Sequence, residues 1–148
     1  MIVGFLQAKF MRVKPRTLID RIEIRIARKR DTVFLTREFR DLGGEDQVLR
    51  ALRLLVRRQR LVRLGYGVYG RAMQSRLTGA AMLDSPNGFI GATRQALNKL
   101  GVVWEPGEAE KAYNAGMSTQ VPVNPVVKIR GRFARQLRYG GTELVLER

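Results

Sequence analysis

The chain has 148 residues, 45% of them hydrophobic, which suits one domain or two small ones and argues against wholesale disorder. It holds neither cysteine nor histidine, which excludes disulfides, thiolate nucleophiles, imidazole bases and the usual zinc ligand sets. Its formal net charge of +15 implies a polyanionic partner: DNA, RNA, an anionic membrane or an acidic protein.

In chain order, residues 1–14 are expected to form an N-terminal extension. No cationic stretch precedes the apolar start Met1-Ile-Val-Gly-Phe-Leu6, so it does not read as a signal peptide. No apolar run is long enough to span a membrane, and a cytoplasmic location is the expectation. Pro15 and Thr17 open a helix running to about Arg30, with Leu18, Ile19, Ile22 and Ile26 on one face and Ile24 off it. Val33-Phe-Leu35 reads as a short strand. Thr36 is placed to cap a second, short helix, with Glu38 and Phe39 in its first turn and Gly43-Gly44 at its end.

A third helix is expected from about Glu45 to Gln59. Val48, Leu52, Leu55 and Gln59 line one side, flanked by Ala51 and Val56, and Asp46, Arg50, Arg53 and Arg57 fall together on the other. Leu61 to Leu64 and Val68 to Gly70 read as strands joined by the tight turn Gly65-Tyr66-Gly67. Helix, strand, helix, turn, helix and hairpin is the order of a winged helix-turn-helix.

Residues 71–87 are mixed and turn-rich, and a boundary is placed at 75/76. Beyond it, helices are expected over Phe89–Leu100 and Glu108–Ala115, and extended chain over Val102–Trp104, Val126–Arg130 and Glu143–Glu147, with a turn at Gly140-Gly141. The expected fold class is α+β: a winged helix-turn-helix over 15–75, followed by a small α/β C-terminal domain over 76–148.

Charge placement sharpens the reading. Residues 1–75 hold 18 Lys/Arg against 7 Asp/Glu, a net of +11, whereas residues 76–148 net only +4. Of the 28 cations 22 are Arg, the side chain suited to bidentate contact with phosphate and guanine. A recognition helix needs an apolar face to dock and long donors opposite it. Arg50, Arg53 and Arg57 supply those donors, with Gln47 near the N-terminal end. A merely solvated face mixes its signs, while like charges one turn apart repel by a few tenths of a kcal/mol. Gln47, Arg50 and Arg53 are therefore expected to read the major groove, and Arg57, Arg37 and Arg40 to hold phosphates. Thr36 and the adjoining amides suit another phosphate, although the same segment equally fits an ordinary capped helix. Arg63 would anchor the hairpin tip. Tyr66 either meets DNA there or folds back on the core.

Elsewhere Trp104 and Tyr113 fit core packing better than a ligand platform. Arg130, Arg132, Arg135 and Arg138 form a second basic cluster that either extends a DNA footprint or is a solvated edge. Ser118-Thr119 has no partnered base in the sequence, so nucleophilic catalysis is not expected. The glycines form no phosphate loop or dinucleotide fingerprint. The expectation is a non-enzyme without metal or cofactor.

From Ile22 to Tyr69 the chain carries Phe39-Arg-Asp-Leu-Gly43, Val48-Leu-Arg-Ala-Leu52 and Leu61-Val-Arg-Leu-Gly-Tyr-Gly-Val-Tyr69. Ala112-Tyr-Asn-Ala-Gly-Met-Ser-Thr-Gln-Val-Pro122, Arg130-Gly-Arg132 and Gly140-Gly141 follow in order. This succession resembles the AbiEi-type antitoxins of type IV toxin–antitoxin systems and related winged-helix regulators. The resemblance covers most of residues 18–147. It implies a repressor of its own promoter, bound to inverted repeats; dimeric or paired binding to such repeats, including a homodimer, is compatible with the sequence. It also implies opposition to a nucleotidyltransferase-like toxin without a stable complex. The alternative is a basic module that binds RNA or an acidic protein. RNA readers usually offer stacking aromatics, and only 7% of this chain is aromatic.

Overall fold

The computed structural model describes residues 16–116 and 124–148. The expected extension 1–14, Ser118-Thr119 and the Met117–Pro122 end of the later motif lie outside the described residues. The fold is α+β, with four α-helices among the described residues.

Helix α1 (Leu18–Arg28) starts at a reciprocal cap: Thr17 Oγ1 accepts from Asp20 N at 3.1 Å, and Thr17 N donates to Asp20 Oδ2 at 3.2 Å. Its last turn is closed from a distance. Arg71 donates to the carbonyls of Ile26, Lys29 and Asp31 at 2.9, 2.7 and 2.9 Å, filling acceptors that a helix end leaves open. Strand β1 (Val33–Leu35) leads directly into a tight 3-10 turn, Thr36–Phe39. Helix α2 (Glu45–Arg57) buries Val48, Ala51, Leu52 and Leu55. Glu45 and Asp46 in its first turn suit the positive end of the helix dipole.

Strands β2 (Leu61–Gly65) and β3 (Val68–Gln74) form an antiparallel hairpin with a register irregularity between Arg63 and Gly65. β3 runs four residues past the expected Gly70; its Ala72–Gln74 end pairs with β4 (Ala81–Leu83), while its Val68–Gly70 stretch pairs with β1. Residue 76 lies in the β3–β4 turn. Next come α3 (Gly88–Lys99), β5 (Trp104–Pro106), α4 (Glu108–Asn114) and β6 (Val126–Ile129). The hairpin β7 (Arg138–Tyr139)–β8 (Thr142–Glu143) turns at Gly140, and β9 (Val145–Glu147) runs parallel to β6.

Strand alternation sorts the core. Phe34, Leu61 and Tyr69 face α1 and α2, packing with Ile22, Phe39, Leu52 and Leu55. Val33, Leu35, Leu64 and Val68 face the opposite way and pack with Leu83, Ala92, Leu97, Val127, Leu137 and Leu144. All three residues of β1 are buried, which is why it reads as an unbroken apolar run rather than an alternating one. The first sheet is thus a wall between two cores, and the second core draws on both halves of the chain.

Two local expectations are corrected. Gln59 does not share the buried side of α2; it lies beyond the helix end, exposed, in the left-handed region at φ 61°. Thr36 does not cap the second helical segment. Glu38 does so, its Oε2 accepting from Leu35 N at 2.7 Å, while Thr36 Oγ1 is buried and finds no hydrogen-bond partner among the described residues.

Candidate nucleic-acid interface

The hairpin tip is fixed by the chain beneath it. A Cβ on Gly65 would stand 2.6 Å from Gln136 O and 2.9 Å from Leu137 Cδ2. The 3-10 turn joins the tip through Thr36 N, which donates to Gly67 O at 3.2 Å. Gly65→Ala should therefore force a backbone shift costing about 1–3 kcal/mol. Denaturant melts check this, and an unshifted midpoint would show that the segment under the tip yields freely.

Between the 3-10 turn, α2 and the hairpin runs a groove of about 570 Å³. Arg37 and Arg40 enter from the turn, Arg53 and Arg57 from α2, Arg63 from β2, and Arg135 from the C-terminal part of the chain. Among the described residues Glu45 is the one carboxylate lining it. Thr36 and Tyr66 also line it, and Tyr66 is 76% exposed rather than folded into the core. The structure thus brings together seven of the nine residues singled out from sequence. Gln47 and Arg50 are exposed but do not line the groove. Helix geometry accounts for the split: at 100° per residue Arg53 falls on the flank toward Leu49 and Val56, and Arg50 on the other.

The sign of the groove follows from where the acids are spent. Arg25 holds Asp41 in a bidentate pair at 2.6 and 2.7 Å, and the hydrogen bonds from Arg25 keep the Asp41 carboxyl down at about 2. Lys99 Nζ lies 2.6 Å from Asp31 and 2.9 Å from Glu38, and also donates to Val33 O at 2.6 Å. Lys29 reaches Glu38 at 3.1 Å. Burial works against the charge of Glu38, yet the Leu35 amide, Lys99 and Lys29 outweigh it and hold its carboxyl below the usual range. Hydrogen bonding from Lys99 likewise lowers Asp31. Glu23 faces Arg60 at 3.7 Å, and Asp20 caps α1.

Five of the seven acids in residues 1–75 are therefore committed to partners away from the groove. Among the described residues no acid lies within ion-pair distance of Arg37, Arg40, Arg50, Arg53, Arg57, Arg63 or Arg135. Arg37 donates to Lys99 O, and Arg63 reaches Gly65 O at 3.4 Å, contacts that orient the side chains without neutralising them.

The second basic cluster divides. Arg138 pairs with Glu143 at 3.5 Å, Arg130 and Arg132 are exposed, and only Arg135 reaches the groove. Trp104 and Tyr113 share no platform. Trp104 stacks under Arg94, 5.0 Å from its ring centre, and donates to Asn98 at 2.7 Å, while Tyr113 lines a different cleft. Among the described residues no helix is long and apolar enough to cross a membrane.

Residues 21–147 match the family model described as "Family of unknown function (DUF6088)". The chain belongs to this family. No curated protein and no solved structure matches this DUF6088 member.

Proposed function

We propose that this DUF6088 member binds double-stranded DNA through a winged helix-turn-helix, without catalysis, as an antitoxin-like repressor of its own promoter. The carrying observation is the groove: among the described residues, six arginines from four segments meet around a single carboxylate. A polyanion supplies the charge they lack. Helix α2 enters the major groove, where Gln47 and Arg50 on its outer flank face base edges. The adjoining phosphate ridge lies between α2 and the hairpin, on Arg53, Arg57, Arg63, Arg37 and Arg40. Arg53 moves from the base-reading role expected from sequence to a phosphate role, because it lines the groove. Tyr66 rides at the wing tip.

The resemblance to AbiEi-type antitoxins supports the biological setting: inverted repeats and a nucleotidyltransferase-like toxin opposed without a stable complex; a homodimer across the repeats is part of the proposal. Residence in the cytoplasm is part of the same proposal.

Fluorescence anisotropy with a duplex from the chain's own promoter, a random duplex and a structured RNA tests it. Five neutralised phosphates give a log–log salt slope of about −4.5. The promoter duplex should bind tightest. Equal or tighter binding of the RNA, or a slope near zero, would count against the proposal.

A further inference from the structure

The C-terminal part of the chain supplies a wall of the groove. Arg135 is exposed, donates to Tyr66 O at 3.4 Å, and lines the groove with Arg63 and Gly67. It is separated from Tyr66 by 69 positions, so its place here is a product of the tertiary fold. Two neighbours hold it there. Gln136 O presses against Gly65, and Leu137 is fully buried in the second core. Leu137 also accepts from Leu144 N at 2.9 Å, which fixes the strand that follows. The guanidinium is therefore presented by an anchored backbone. Its contact to a carbonyl leaves its charge intact and several donors free.

We propose that Arg135 is a phosphate-binding residue of the DNA site, gripping the backbone from the hairpin side opposite Arg53 and Arg57. This rests on the DNA-binding reading above. It makes the site a composite of both halves of the chain: a phosphodiester strand in the groove is held by the 3-10 turn, by α2, and by the hairpin together with the segment beneath it.

The test compares Arg135→Ala, Arg135→Lys and Arg58→Ala by anisotropy on the promoter duplex across a salt series. Arg58 is an exposed arginine that lines a separate cleft with Arg60 and Arg71, so its loss removes equal charge away from the groove. Arg135→Ala should weaken binding about fivefold to tenfold near physiological salt and reduce the slope by about 0.9. Arg135→Lys should restore the slope, since a point charge suffices for a phosphate. Arg58→Ala should leave both close to wild type. Melting temperatures should agree across the set, because the hydrogen bond from Arg135 to Tyr66 O is solvent-exposed.

If Arg135→Ala behaves like Arg58→Ala while the unsubstituted chain binds DNA, the Arg135 assignment falls and the DNA-binding reading stands. If Arg135→Ala lowers the melting temperature and Arg135→Lys does not restore the slope, Arg135 is a structural tie and the assignment falls as well. If the unsubstituted chain does not bind duplex DNA, both fall together.

Discussion

Under the DNA-binding proposal, alanine at both Arg53 and Arg57 should lower affinity for the promoter duplex about a hundredfold at physiological salt, taking each lost contact at about 1–2 kcal/mol. The log–log salt slope becomes shallower by about 1.8, the loss of two phosphate contacts. The variant keeps its fold. Both side chains are exposed, alanine is the best helix former, and thinning a row of like charges relieves repulsion. Its melting temperature should equal or exceed that of the parent. Arg50→Ala gives a different signature under the same proposal. Promoter affinity falls toward that of a random duplex while the slope changes little, since a base contact carries sequence discrimination. An Arg53/Arg57 double variant that binds with unchanged affinity and slope would remove the groove from the proposal altogether.

Lys99→Ala produces the largest loss of stability expected here. It leaves Asp31, Glu38 and the Val33 carbonyl without the ammonium that joins them. Lys99 and Glu38 are only 18% and 17% exposed; Glu38 keeps Lys29 and the Leu35 amide, and losing the Lys99 ammonium from this half-buried cluster costs about 2–4 kcal/mol. Asp31, at 36% exposed, adds less because water screens it. For a chain of this size that corresponds to a melting-temperature drop of roughly 5–15 °C. The pH dependence separates charge from packing. Asp31 and Glu38 titrate below their usual range in the folded chain. Their stabilisation is complete above the unfolded pKa values, about 4, and is lost as pH falls through the lower folded values. The gap between parent and Lys99→Ala should therefore be widest near neutral pH and narrow by about pH 3. A gap of constant size would assign the effect to the contact with Phe34, whose ring centre lies 5.2 Å from Lys99 Nζ.

Much of the fold is legible in the sequence because its signals are local. The Val48, Leu52 and Leu55 spacing defines α2, Gly65-Tyr66-Gly67 marks the turn, and the run Val33-Phe-Leu35 marks a strand buried on both faces. The arginine row is also legible, since helical angle depends only on spacing. What escapes is whatever depends on distant partners. Glu38 and Lys99 meet across 61 positions, and no periodicity announces that pairing. The same pair draws the second helical segment into a four-residue 3-10 turn capped by Glu38, so Thr36, the better local candidate for a cap, goes unused. The continuation of β3 to Gln74 depends on β4 lying beside it. Arg135 shares its sequence signature with Arg130 and Arg132, and only the anchoring of Leu137 singles it out.

The wall between the two cores has a consequence for how such a chain is inherited. Val33, Leu35, Leu64 and Val68 belong to the N-terminal segment but are shielded by the C-terminal one. Cutting the gene at the β3–β4 turn would leave these four side chains facing water, at about 1.5–3 kcal/mol apiece. That sum rivals the whole margin by which an ordinary domain stays folded. Recombination cannot therefore shuffle the front half as a cassette onto an unrelated partner; the two segments must be passed on together.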